Sequence, residues 1–167
     1  MHVVKRTAGL SKAAVYQELN EQLAGLFAGE RSALANSANM SAVLYEGLPT
    51  LNWGGFYFLQ EGELVLGPFQ GKVACVRIAL GRGVCGTAAQ RRETLVVEDV
   101  HAFPGHIPCD AASRSEIVVP LLQDGRLLGV LDLDSPETGR FDEQDCVGLN
   151  AAVALLLHHS DFSKLLG

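Results

Sequence analysis

The sequence has no run of basic residues, no long apolar stretch and only one tryptophan. The first two shortages each exclude a class of function. Lys and Arg number 13 against 19 Asp and Glu, a formal net charge of −6. That balance argues against a protein that neutralises a phosphate backbone, so no nucleic-acid partner is expected. The longest apolar run, Ala151 to Leu157, falls far short of the roughly 20 residues a membrane helix needs. No apolar segment follows the early Lys5–Arg6 pair, so no signal peptide is expected and the chain reads as cytoplasmic. There the 4 cysteines are expected to be reduced thiols and not a disulfide framework. No internal repeat, low-complexity stretch or linker is visible. What remains is one globular domain of 167 residues, 48% hydrophobic and 19% charged. Its thiols must be explained by reactivity, metal binding or packing.

Periodicity supplies the elements. Val15, Leu19, Leu23 and Leu26 fall on one face of a first helix. A second is expected over 32–45, with Leu34, Ala38, Ala42 and Tyr45 as its stripe, ended by Gly47 and Pro49. From 52 the pattern becomes strand-like. A hairpin is expected over 52–59 and 63–66, and a third strand over 72–80. A short helix over 84–92 and a fourth strand over 94–100 follow. After an irregular segment, 101–115, come strands over 116–122 and 127–134. A closing helix spans 142–159, with Asp142 as N-cap. The order predicts an α+β fold: a six-stranded, mostly antiparallel sheet, helices from both termini on one face, and loops alone over a ligand pocket on the other.

The irregular segment carries His101, His106, Cys109, Asp110 and Ser113. Long loops in compact domains are usually functional, though a polar surface loop is the plain alternative. Cys109, flanked by Pro108 and Asp110, is a candidate nucleophile, with two imidazoles nearby to favour its thiolate. Cys85 opens the short helix after Gly81-Arg82-Gly83, where helix N–H groups and Arg82 would favour a thiolate. The glycines themselves read as a tight turn. Strand alternation puts Val73, Cys75 and Arg77 on the loop-covered face and Ala74, Val76, Ile78 and Leu80 against the helices. Cys146 lies on the apolar stripe of the last helix and reads as buried core.

Asp132 and Asp134 alternate with Leu131 and Leu133, so both point off the core face. Glu116 joins them only in one register. A two-residue Asp124-Gly125 turn pairs Glu116 with Leu133. A three-residue loop, Gln123-Asp124-Gly125, pairs Leu122 with Arg126 and Glu116 with Asp132. Burying Ile117, Val119, Leu121, Leu131 and Leu133 together selects the second. The resulting acidic patch would suit an ammonium group or a metal, or would hold a proton.

Five stretches, NWGGFYF, LGPFQGKVACVRI, GRGVCGTA, HIPCDAASRSEIVVPL and GVLDLDS, closely resemble the free methionine-(R)-sulfoxide reductases, which are built on a GAF domain. The resemblance runs from about Tyr16 to Leu157. The spacing C-x9-C-x23-C with HIPCDAAS marks this branch, and generic GAF sensors lack it. The resemblance implies a single GAF domain over 1–167, with 1–15 outside the match as a candidate disordered extension. It implies Cys109 as the attacking thiol, Cys75 as the main resolving thiol and Cys85 as a third redox-active thiol. Glu116, Asp132 and Asp134 would bind the free amino acid, and Trp53 would pack against its methyl-sulfur end. No bound cofactor or metal is implied. Thioredoxin, kept reduced by its reductase and NADPH, would be the external reductant, and a homodimer is compatible. Two rivals stand beside this reading. One is a non-catalytic GAF sensor of a small ligand or of redox state. The other is a metal site of His101, His106, Cys109 and the acids, although H-x4-H-x2-C is not a standard zinc pattern.

Overall fold

A computed structural model describes residues 2–106 and 110–165. Helix α1 (Lys12–Phe27) is capped by Ser11, whose side chain accepts from the Ala14 N–H, and α2 (Ala33–Gly47) by Ser32 in the same way from Ala35. Helix α1 starts inside the stretch expected to extend from the domain. The Lys5 N–H donates to Gln22 and the Thr7 hydroxyl to Glu18 along its side.

Six strands follow: β1 (Trp53–Gln60), β2 (Glu63–Gly71), β3 (Arg77–Ala79), β4 (Leu95–Val97), β5 (Ser115–Gln123) and β6 (Arg126–Ser135). They form one sheet in the order β3-β2-β1-β6-β5-β4, and every pair is antiparallel. Helix α3 (Gly83–Arg91) lies between β3 and β4, a 3-10 turn (Val100–Ala102) follows β4, and α4 (Glu143–His159) closes the chain. Among the described residues no helix is long and apolar enough to cross a membrane.

Alternation sorts the sheet into two faces. Phe56, Phe58, Ile117, Val119, Leu121, Leu131 and Leu133 pack under α1, α2 and α4. Trp53, Tyr57, Val118 and Val130 point the other way and form a second apolar cluster with Val84, Cys85, Ala88 and Ala89 of α3. That second face was expected to carry loops alone. Instead α3 covers part of it, because its Val-Cys-x-x-Ala-Ala stripe is apolar enough to be buried.

Two further expectations need correction. The buried stripe of α2 is Ala33, Asn36, Ser37, Met40, Ser41, Val43, Leu44 and Gly47, while Leu34 is 54% exposed. The expected stripe was rotated about a residue from the true one, because small residues at 33, 36 and 37 face the core where a leucine was given weight. The third strand is only Arg77–Ala79, and residues 72–76 are not strand. Val73 and Val76 are therefore exposed instead of one facing each way, and Ile78 packs in the α3 cluster, not under the terminal helices.

Helix α4 is tied to α1 through one carboxylate. Asp142 and Asp145 form a capping box at its start. The fully buried Asp145 also accepts from the Tyr16 hydroxyl at 2.6 Å and pairs with Lys12 at 2.7 Å and Arg140 at 3.2 Å. Gly148 lets the two helices meet, since a Cβ there would overlap the Tyr16 ring.

Candidate active site

The acid patch is built by an irregularity in the β5–β6 hairpin. The turn is two residues long, Asp124 (φ 52°) and Gly125 (φ 75°), with Gln123 opposite Arg126. Both central residues have φ > 0, the mark of a type I′ turn, for which Asp-Gly is a favoured pair. The expected three-residue loop is therefore absent. The register nevertheless shifts: Leu122 faces Leu127 and Leu121 faces Gly129, leaving Leu128 as a bulge in β6. Leu127 then lies in the α3 cluster while Leu128 and Leu131 lie under the terminal helices. Glu116 consequently faces Asp134, not Asp132 as expected, and Asp132 faces Val118. Glu116, Asp132 and Asp134 still share the face of Trp53, which lies opposite Asp134 on β1.

These residues line one pocket with Tyr57, Ala74, Ile78, Cys85, His106, Asp110 and Ser113, and with Arg82 and Gly83 at the start of α3. Trp53 forms its aromatic wall. Its ring stacks on Phe69 (5.3 Å) and Tyr57 (5.9 Å), and its Nε1 donates to the Lys72 carbonyl at 3.0 Å. These contacts fix both the plane and the edge of the indole.

Burial dominates the electrostatics. Glu116, Asp132 and Asp134 are all at least nine-tenths buried. Burial pushes the Asp132 carboxyl up to about 6, against the pull of hydrogen bonds with Glu116 and Cys85. Burial, with repulsion from Asp132 and Asp110, holds Asp134 well above the usual carboxylate range. One oxygen of Asp132, Oδ1, is buried with no hydrogen-bond partner among the described residues. A buried acceptor left unpaired is costly unless a ligand completes it.

Cys85 differs from expectation. It is 4% exposed, and its thiol donates to Glu116 Oε1 at 3.8 Å. Burial, then the charges of Asp132 and Glu116, holds it well above the ordinary thiol value. The helix N-terminus is present, but desolvation and the acids outweigh it, so the thiol keeps its proton. Cys75 is half-buried and packs against the α3 cluster. It reaches that face from an irregular segment, not by strand alternation. Cys146 is half-buried at the rim of the main core, not inside it. Cys109, with Ile107 and Pro108, lies outside the described residues.

The residues on either side of that segment are anchored. Asp110 accepts from the Ala112 N–H at 2.9 Å and from Asn52 Nδ2 at 3.2 Å, and Lys72 stands 3.6 Å away. These partners, the Ala112 N–H first, hold its carboxyl below the usual range. Asn52 also donates to Ser113 Oγ at 3.0 Å. His106 packs edge-on to His101, with ring centroids 6.4 Å apart, and burial followed by the neighbouring imidazole lowers its pKa. His106 lines the pocket and His101 does not. Sequence reasoning passed over Asn52. Its one signal was a polar residue immediately before an aromatic strand.

Against known proteins, residues 1–157 match the GAF domain family. The free methionine-R-sulfoxide reductase of Escherichia coli K12 is 54% identical over 158 residues, covering 93% of this chain and 96% of that protein. A protein of the same name from Saccharomyces cerevisiae is 43% identical, covering 85% and 83%. Among solved structures, the Neisseria meningitidis free methionine-R-sulfoxide reductase in complex with its substrate superposes with a TM-score of 0.90 at 47% identity, covering 95% of each chain. On identity, coverage and fold alike, this chain belongs to the GAF domain family, within its branch of free methionine-R-sulfoxide reductases.

Proposed function

We propose that the protein reduces free L-methionine-(R)-sulfoxide to methionine with its own thiols. The observation that carries the substrate class is the acidic floor of the pocket. Three buried carboxyl groups, one with an unpaired oxygen, sit beside an aromatic wall. An α-ammonium answers that charge, and a thioether carbon chain answers the indole. In a peptide the same nitrogen is an uncharged, bulkier amide, so the floor selects the free amino acid.

The chemistry is an oxygen transfer. The Cys109 thiolate attacks the sulfoxide sulfur, the S–O bond breaks, and a protonated oxygen ends on Cys109 as a sulfenic acid while the substrate leaves as thioether. Cys109 is oxidised by two electrons and the substrate sulfur reduced by two. Glu116 or Asp134 supplies the proton, and burial with the neighbouring Asp132 and Asp110 charges favours the protonated form of Asp134. A second thiol, Cys75, displaces water from the sulfenic acid to give a disulfide. A dithiol carrier of the thioredoxin type then takes that disulfide over by exchange.

The test is NADPH oxidation coupled through thioredoxin reductase and thioredoxin, with both epimers of free and N-acetylated methionine sulfoxide. Turnover is expected with the free R epimer and a loss of at least tenfold on N-acetylation. Absence of turnover, with the free-thiol count unchanged by the sulfoxide, would overturn the enzyme reading in favour of a sensor.

A further inference from the structure

The pocket floor holds a second kind of donor set. Cys85 Sγ and one carboxylate oxygen each of Glu116 and Asp132 lie within 4.8 Å of one another, and all three residues are buried. A point at their centre is no more than 4.8/√3, about 2.8 Å, from every donor. Zinc-type bonds of roughly 2.3 Å to sulfur and 2.0–2.2 Å to oxygen need a contraction of about 0.5 to 0.8 Å. Asp132 lines the same pocket, and its Oδ1 is buried with no hydrogen-bond partner among the described residues. Asp134, across the ladder from Glu116, is a further buried carboxyl lining the same pocket. His101 and His106, named in the rival metal reading, are not in this group.

We propose that Cys85, Glu116 and Asp132 form a binding site for a single thiophilic divalent cation of the zinc class, which excludes the amino-acid substrate while it is bound. One thiolate and two carboxylates suit a borderline ion such as Zn²⁺ or Co²⁺, whereas Mg²⁺ and Ca²⁺ prefer oxygen alone. Binding forms a metal–sulfur bond and releases the Cys85 proton to solvent, with no change of oxidation state. The ion takes the position assigned above to the ammonium group. It therefore acts as a competitive inhibitor and shields Cys85 from oxidation. The donor set stands on its own geometry, while the exclusion of the amino acid rests on the proposed function.

Co²⁺ is the probe, because a cobalt–thiolate bond gives a near-ultraviolet charge-transfer band. The full chain, reduced and free of metal, is titrated anaerobically with Co²⁺ in the absence of substrate. One equivalent is expected to give the band in wild type and in the Cys75→Ser, Cys109→Ser and Cys146→Ser variants. Cys85→Ser should lose the band and Asp132→Asn should bind at least tenfold more weakly, both with unchanged circular dichroism. Zn²⁺ should displace the cobalt and bleach the band. No band in wild type, or a band that survives Cys85→Ser, would overturn the proposal. Neither result touches the substrate reading, which rests on the turnover assay.

Discussion

At the scale of single residues, the buried Asp132 carboxyl makes a pH dependence with a definite sign. Burial pushes its carboxyl up to about 6 in the folded protein, against the ordinary value of about 4 that it regains when the chain unfolds. Between those values the native state binds the extra proton, so its contribution to stability falls as pH rises from about 4 to 6 and stays low above. Asp132→Asn removes that loss. In chelator, the variant's melting temperature should exceed wild type by an amount that grows as pH rises across this window and then levels off. A difference that is flat with pH would contradict the assigned burial. The thiols divide differently. Cys75→Ser should still reduce one equivalent of sulfoxide but lose most thioredoxin-driven turnover, as rapid-quench and steady-state assays will show. A larger steady-state defect in Cys85→Ser would reverse the assignment of the resolving thiol. The character of Cys85 was not legible in the sequence. Its helix position argued for a thiolate, and the opposing acids come from strands 31 and 47 residues away.

At the scale of elements, the β5–β6 hairpin and the α1–α4 pair carry the most specific constraints. Gly125 has φ 75° with open space around its Cβ position, so a substitution there is strained by backbone alone. Gly125→Val should cost about 1–3 kcal/mol in urea denaturation, while Gly125→Asn, which tolerates the left-handed region, should cost less. Asp145→Asn should lower stability by about 3 kcal/mol, because it leaves the Lys12 and Arg140 charges short of their buried partner. A midpoint within error of wild type would show that the network contributes nothing. These elements were legible to different depths. The ends of α4 and its acidic N-cap could be read directly, since capping chemistry is local. The face shared by Glu116, Asp132 and Asp134 could be read from the need to bury Ile117, Leu131 and Leu133 together. The device that achieves it could not, because nothing local distinguishes a bulge at Leu128 from a longer turn. The strand expected over 72–80 failed for the opposite reason. Its alternation is real in sequence, but only residues 77–79 pair in register with β2, with the Val76 carbonyl accepting one further bond from the Leu66 N–H.

At the scale of the whole molecule, the sheet divides two tasks. The terminal helices cover one face with the larger apolar core, and the pocket opens on the other. Substitutions should sort accordingly. Leu131→Ala, fully buried under the helices, should cost 2–5 kcal/mol in denaturant unfolding, as such truncations typically do. Glu116→Gln, one strand away on the opposite face, should leave the denaturation midpoint close to wild type and reduce turnover at least tenfold. Equal losses of stability in the two variants would mean that the faces are not separable.

The bulge at Leu128 gives the hairpin a parity. The observed register, with a two-residue turn and one bulge, and the expected one, with a three-residue loop and none, differ by two positions in β6, and both put the three carboxyls on one side. A change of one residue in either turn or bulge, taken alone, would carry Glu116 through the sheet and set a charge among the helices. Insertions and deletions between Leu121 and Gly129 are therefore tolerable in even steps, or in compensating odd ones. The length of a surface turn is in this way bound to the polarity of a pocket at the far end of the same two strands.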